Sequence, residues 1–244
     1  MSEVYNNYLE WADKRRKELN NIIFERTQGS VVRGPFQAMK ILPKWEWGDS
    51  DYASKVLGIY ECELYERIEQ TINNHHDLIM NIGCAEGFYG VGFGLRTDAQ
   101  IVMVDPFQAV LNIARENAQV NSVNKIHFLQ ESNPDIFRSY LQKYKNPFIF
   151  MDCEGAEDQF LDLDQIPELE KTSIIVESHD CVIPGLTNKL KERFKDTHWI
   201  EEIRQGAKDP HVWIIDDLGD YDKYLICSES RPSTMTWLEM IPKH

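Results

Sequence analysis

Apolar residues recur along the chain in short blocks separated by amphipathic stretches. The blocks at 78–82, 101–104 (IVMV), 126–129 (IHFL), 148–151 (FIFM) and 173–177 (SIIVE) are continuous and rich in β-formers. That pattern predicts strands covered on both faces. Two further blocks, 198–203 (HWIEEI) and 234–241 (TMTWLEMI), close the series. The last is long and partly alternating, which suits an edge or antiparallel strand. Between the blocks lie helix patterns at 106–121, from Asn133-Pro134 onward, at 157–169 (EDQFLDLDQIPEL) and at 185–196. Asn133 is placed as a cap with Pro134 at the first helical position. Strand–helix alternation with right-handed crossovers predicts an α/β fold: a seven-stranded, doubly wound, mostly parallel sheet.

Segment 1–72 has a different pattern. Residues 4–24 read as an amphipathic helix, followed by an irregular stretch containing PKWEWGDSDY (43–52) and a second helix over 52–72. We read 1–72 as an N-terminal helical cap and 73–244 as the sheet domain. An apolar stripe on the first helix suits a homodimer and a docked cap equally.

Length changes little in this picture: 244 residues fit one large α/β domain with an appendage. Charge changes more. The net charge of −14 argues against sequence-independent binding to nucleic acid or to an anionic membrane, both of which need dense Lys and Arg. The basic run at 15–17 (RRK) reads as a solvated helix face. No apolar run approaches bilayer length, and the first residues lack a basic segment followed by an apolar one. Five scattered cysteines without CxxC spacing point to reduced thiols in a cytoplasmic protein.

The chemistry concentrates at strand ends. The block at 78–82 stops at Gly83, and Gly87 follows four residues later. A strand ending in such a turn lets a flat or anionic cofactor touch main chain, because glycine has no Cβ. The second block ends in Asp105, a carboxylate placed where a ribose is usually held. Together they imply a nucleoside-type cofactor, and so an enzyme. Asp152 ends the fourth block with Glu154 and Glu157 behind it, and Glu177, His179 and Asp180 end the fifth.

Seven strands, a glycine turn after the first and an acid after the second resemble a class I S-adenosylmethionine-dependent methyltransferase, a Rossmann-like fold. The stretch 148–160, FIFMDCEGAEDQF, is similar to the D-x-E-G-x-E signature of the FkbM-like family, here Asp152, Glu154, Gly155 and Glu157. That family writes G-x-x-x-G at the first turn, as in Gly83-Cys84-Ala85-Glu86-Gly87, and GIYECEL (58–64) also resembles its members. Asn81 departs from the pattern by standing where the family has an acid. The resemblance implies S-adenosylmethionine as cofactor and methyl transfer to a hydroxyl of a small-molecule or sugar acceptor.

On that resemblance Asn81, Gly83, Cys84, Ala85, Glu86 and Gly87 border the cofactor's amino-acid end. Asp105 and Pro106 border its ribose, and Phe107 the adenine, unless Phe107 is a core aromatic. Glu131 and Ser132 either meet the adenine amino group or cap the following helix. His179 is the expected general base, with Asp152 or Glu177 orienting it or the acceptor and Glu154 nearby; a structural histidine is the alternative. A different use of the same residues puts Mg²⁺ on Asp152, Glu177 and Asp180. Trp45, Trp47, Tyr52 and Tyr60 fold over the cofactor, form the acceptor pocket or pack the cap on the sheet, and the stretch 204–233 is expected to add a wall of that pocket. His75 and His76 are expected to be exposed, His127 to pack within its strand, and Arg231, Pro232 and Trp237 to be structural.

Two rival functions share these features. An NAD-dependent oxidoreductase wants G-x-G-x-x-G, which Ala85 breaks; Gly90, Gly92 and Gly94 come too late and suit close helix packing instead. A non-catalytic cofactor-binding scaffold is the other.

Overall fold

The apolar blocks pair into one sheet because each strand alternates its side chains between two cores. A computed structural model describes residues 3–44, 51–130 and 133–244. Among these, seven strands are found: β1 (Leu78–Ile82), β2 (Gln100–Val104), β3 (Ile126–Leu129), β4 (Pro147–Met151), β5 (Ser173–Ser178), β6 (His198–Arg204) and β7 (Thr236–Pro242). Their order is β3-β2-β1-β4-β5-β7-β6. The first five are mutually parallel, and β7 runs antiparallel to both β5 and β6. The fold is therefore the expected seven-stranded, doubly wound, mostly parallel α/β sheet. The last strand is antiparallel but lies inside the sheet. The polar β6, with Glu201, Glu202 and Arg204 exposed, takes the edge, where charge discourages further pairing.

The helices are α1 (Glu3–Thr27), α2 (Tyr52–Leu57), α3 (Tyr65–Asn73), α4 (Phe88–Arg96), α5 (Gln108–Val120), α6 (Pro134–Leu141), α7 (Glu157–Phe160), α8 (Leu186–Phe194) and α9 (Asp220–Cys227). One core packs Ile79, Met103, Phe148, Phe150 and Trp237 against α4, α5, α9 and the segment before β1. The other packs Met80, Val102, Ile149, Met151 and Val176 against α6, α8 and the chain after α7. Residues between Ala12 and Ile41 and between Tyr52 and Ile72 thus share the first core with the sheet. Each fully buried Phe or Leu contributes about 1.5–3 kcal/mol of transfer free energy. Gly90, Gly92 and Gly94 allow α4 to sit close: a Cβ there would lie 2.4 to 2.5 Å from Met103, Phe36 and Val123.

Several expectations are corrected. The helix expected over 157–169 stops at Phe160 and resumes only as a 3₁₀ turn at Pro167–Lys171. The Asp162 carboxylate accepts from the backbone N–H of Asp164 (2.9 Å), a local bond that competes with the helix. Pro167 then bars its continuation. The helix expected over 52–72 breaks at Gly58, whose φ of 64° ends α2. The run at 15–17 is not simply solvated: Arg16 is buried, and Arg15 pairs with Asp222 at 2.6 Å, tying α1 to α9. His76 is buried, stacked on Phe148 at 5.2 Å between ring centroids. His127 is exposed because β3 is the other edge strand. Trp45, Trp47, Glu131 and Ser132 lie outside the described residues.

Candidate active site

Strand order reverses between β1 and β4, and ligands of open α/β sheets bind at such a switch point, outside the carboxyl ends of the strands. A cavity of about 550 Å³ lies there. The ends of β1, β2, β4 and β5 supply much of its wall. The segment before β1 and the connection between β6 and β7 supply the rest.

The wall from β1 and β2 is set by local geometry. Gly83 and Cys84 both donate backbone N–H bonds to the Val104 carbonyl, at 2.9 and 3.0 Å. Gly83 has φ +72°, and a Cβ on it would fall 1.6 Å from the Asp152 carbonyl oxygen. No other residue fits where this loop crosses the end of β4. The Asp105 carboxylate accepts from Ala85 N through Oδ2 (3.2 Å) and from Phe107 N through Oδ1 (3.0 Å). Burial pushes Asp105 up, while those two bonds pull it down; the net is a raised pKa. Gly83, Ala85, Glu86, Asp105, Pro106 and Phe107 all face the cavity, Phe107 with more than half its surface exposed. Asn81, Cys84 and Gly87 do not line it. The Asn81 carboxamide accepts from Gly90 N (3.0 Å), which satisfies a free N–H in the first turn of α4. Cys84 is buried in the core, and Gly87 caps α4 with φ 86°.

The β4 and β5 ends form the floor. His179 is 3% exposed. Its Nδ1 lies 2.7 Å from Glu157 Oε1. Its Nε2 lies 3.5 Å from Asp152 Oδ1, 3.5 Å from Glu154 Oε2 and 3.7 Å from Glu177 Oε2. The residue that orients His179 is therefore Glu157, not Asp152 or Glu177. Burial pulls the His179 pKa down, but the Glu157 hydrogen bond and the surrounding carboxylates outweigh it and raise it. Burial pushes Glu157 up, but the His179 bond, the His179 charge and backbone N–H bonds together outweigh it, so its pKa is lowered. Asp152 and Glu154 are raised, chiefly by burial. Glu177 is pushed up to about 11, by burial first and then by Asp152 and Glu61.

Asp180 does not join this cluster. Its carboxylate accepts from Gly185 N (3.1 Å) and Thr187 N (3.2 Å) and from the Thr187 hydroxyl, so it organises the start of α8. The set Asp152, Glu177 and Asp180 is not assembled as one centre. Donor atoms that do converge belong to Asp152, Glu154 and His179, and to Glu61, Asp152 and Glu177, in each case within 4.8 Å of one another.

The remaining wall comes from the N-terminal segment and from the stretch 204–235, of which 204–233 reads from sequence as a pocket wall, but its ion pairs were not foreseen. Lys55 Nζ lies 2.6 Å from Glu86 Oε1 and 4.7 Å from the Tyr60 ring centroid. Arg231, expected to be structural, lines the cavity and pairs with Glu61, Glu177 and Glu229. Glu61 is pushed up to about 7 by burial, against the pull of Arg231. Lys208 pairs with Glu63 and, at 3.0 Å, with Glu229. One signal for this wall was present: Glu61 and Glu63 interrupt the apolar GIYECEL, and glutamates in such company are buried only when paired. Tyr60 lines the cavity, whereas Tyr52 is buried and donates to the Ile41 carbonyl at 3.2 Å. Ala85, Glu154 and Glu61 have positive φ of 46°, 55° and 44°. Non-glycine residues held there cost about 1–3 kcal/mol each and cluster at functional sites.

No family model and no curated protein matches the chain. Among solved structures it is similar to an O-methyltransferase from Streptomyces achromogenes involved in tomaymycin synthesis and crystallised with S-adenosylmethionine. The identity is 10%, covering 71% of this chain and 77% of that one, with a TM-score of 0.48. An rRNA methylase from Streptococcus thermophilus is 6% identical over 75% of this chain and 99% of its own, with a TM-score of 0.48. A precorrin-6y C5,15-methyltransferase from Geobacter metallireducens is 10% identical over 72% and 89%, with a TM-score of 0.46. At these identities the likeness concerns architecture alone, which the sheet order above already establishes.

Proposed function

We propose that this protein is an S-adenosylmethionine-dependent O-methyltransferase acting on a hydroxyl of a small molecule or sugar. One observation carries the reading. The glycine loop after β1 and the Asp105 carboxylate after β2 share a single cavity with the carboxylates and imidazole of β4 and β5. The first group suits a nucleoside. Each Asp105 oxygen spends one acceptor position on a backbone N–H and keeps another for a ribose hydroxyl. The exposed Phe107 ring offers a face for adenine. When bound, the cofactor supplies an electrophilic methyl group.

The second group suits removal of a proton from an alcohol. Glu157 fixes the His179 ring through Nδ1, which leaves Nε2 turned toward the cavity floor as the base. Asp152 and Glu154 flank that nitrogen and accept hydrogen bonds from the acceptor. Mg²⁺ on Asp152, Glu154 and His179 would compete with this use of the imidazole, because a metal-bound Nε2 cannot take a proton.

Calorimetric titration with S-adenosylhomocysteine and with NAD(H) tests the reading. Micromolar binding of the first and none of the second is expected, and the reverse overturns it. Activity retained in EDTA removes the metal.

A further inference from the structure

Lys55 and Glu86 form an ion pair that joins two walls of the cavity. Lys55 lies on α2, ahead of the sheet, and Glu86 lies in the glycine loop after β1. Lys55 Nζ is 2.6 Å from Glu86 Oε1; the side chains are only 9% and 10% exposed, and both residues line the cavity. The Tyr60 and Phe88 rings cover the ammonium, with centroids 4.7 and 5.9 Å from Nζ. Burial alone would discharge Lys55, but Glu86, Asp51 and Glu61 outweigh it and its pKa is raised. An ammonium has three donors and a carboxylate about four acceptor positions. The pair uses one of each, and among the described residues no second hydrogen bond leaves the Lys55 ammonium.

A tie between α2 and the loop needs no charge, since an apolar contact replaces a buried ion pair at little or no cost. Nor does a tie need to face a cavity. What an ion pair adds there is selectivity. A ligand of one sign meets one attraction and one repulsion. A ligand with both signs on neighbouring atoms answers both: its carboxylate takes the remaining Lys55 donors, and its ammonium the remaining acceptor positions of Glu86. An α-amino acid is such a group. The pair is also next to the nucleoside seat, because Glu86 follows Ala85, whose N–H is held by Asp105 at 3.2 Å. Glu86 is the one carboxylate in residues 78–87, and Asn81 is spent on Gly90 N.

We propose that the Lys55–Glu86 pair seats the amino-acid end of the cofactor, Lys55 holding its α-carboxylate and Glu86 its α-ammonium, so that a residue of the N-terminal segment selects nucleosides carrying an intact amino acid. This rests on the nucleoside half of the methyl-transfer reading.

Calorimetric titration of the full chain compares three nucleosides. S-adenosylhomocysteine carries both charges, its decarboxylated form keeps the ammonium alone, and methylthioadenosine has neither. The parent is expected to bind S-adenosylhomocysteine roughly 10- to 100-fold more tightly than the decarboxylated form, and methylthioadenosine most weakly. Lys55→Gln should close the first gap while methylthioadenosine binds as in the parent. Lys55→Arg, which keeps the charge, should keep a preference for the carboxylate. Glu86→Gln should weaken both ammonium-bearing ligands and spare methylthioadenosine.

Equal binding of S-adenosylhomocysteine and its decarboxylated form by the parent overturns the proposal, and that arm needs no variant. A gap that survives Lys55→Gln overturns it too, as does ammonium binding indifferent to Glu86→Gln. So does a Lys55→Gln loss shared by methylthioadenosine, which is the result a tie between α2 and the loop would give. In each of these cases a nucleoside still binds, and the methyl-transfer reading stands. If the parent binds none of the three, that reading falls and the proposal falls with it.

Discussion

The wall carried by β1 and β2 and the wall carried by residues 51–61 and 229–235 enclose the same cavity but are held together differently. The first is fixed by main chain: two N–H bonds to Val104, two to the Asp105 carboxylate, and a glycine pressed against the Asp152 carbonyl. The second is fixed by charge: Arg231 bridges Glu61, Glu177 and Glu229, and Lys208 bridges Glu63 and Glu229. A main-chain wall is rigid and insensitive to salt or pH. A wall of partly buried ion pairs depends on every partner staying in place, because each carboxylate it buries is costly alone.

The sharpest way to break the second wall without touching the first is Arg231→Met. It leaves Glu61, Glu177 and Glu229 buried without their shared cation. Breaking such a set costs about 3–5 kcal/mol. For a chain of this size that lowers the unfolding midpoint by roughly 10 °C. Glu61, raised to about 7, takes up a proton as pH falls, whereas Glu177, raised to about 11, already holds one at neutral pH, so the loss should shrink in acid through Glu61. A midpoint within 2–3 °C of the parent at neutral pH, on the order of 1 kcal/mol, would show that this wall does not need its cation.

The first wall is best broken by Gly83→Ala. The new methyl meets a backbone oxygen, not a movable side chain, and alanine disfavours φ +72°. Overpacking and the left-handed backbone together predict a loss of about 2–4 kcal/mol. Unlike the loss at Arg231, it should not vary between pH 5 and 8. Chemical denaturation at the two pH values separates the cases.

These two walls also mark what could be read from the sequence. β1, β2, β4 and β5 were legible because buried parallel strands are uninterrupted apolar blocks, and the glycine turn and Asp105 follow them within a few residues. Arg231 was not legible: its partners Glu61 and Glu177 lie 170 and 54 residues away, and nothing in a polar stretch distinguishes an arginine that folds inward. Glu157 was visible in its motif, but its contact with His179 was not read from it: Asp152 or Glu177 was expected to orient either the imidazole or the acceptor. The positive φ of Glu154 and Gly155 turns the chain so that Glu157, two residues later, meets His179. Asn81 was placed beside the cofactor and instead holds Gly90 N, because a residue inside a strand points along the sheet normal and not out of its end.

A smaller effect, chiefly on ligand binding, is expected from Asp105→Asn. One oxygen remains to accept from the backbone, and the amide nitrogen cannot accept from a ribose hydroxyl. Hydrogen bonds to a charged group are worth about 1.5–3 kcal/mol. S-adenosylhomocysteine should therefore bind roughly 10- to 100-fold more weakly, while the one backbone bond lost, worth about 1 kcal/mol, lowers the unfolding midpoint of the free protein by only roughly 2–4 °C. Unaltered affinity would remove Asp105 from the cofactor site and leave it a loop-stabilising residue.

The smallest effect is a shift of profile, and it probes the floor where the two walls meet. His179 acts as a base only when neutral, and its pKa is raised above the ordinary 6.5. The rate of methyl transfer should therefore climb with pH through that raised value. Glu157→Gln removes the hydrogen-bonded carboxylate that does most to hold the proton, so the limb should move to lower pH even as the plateau falls. Stability should respond in the opposite sense. The His179 contribution is complete below pH 6.5 and fades as pH rises through its folded value. Glu157, lowered from 4.5, contributes fully above that pH and loses its contribution as pH falls through its folded value. The pair thus stabilises the fold most between these limits, where the rate is low, and gives up stability where the imidazole becomes a base. A limb that stays in place in Glu157→Gln would mean that another group, Asp152 or Glu154, takes the proton.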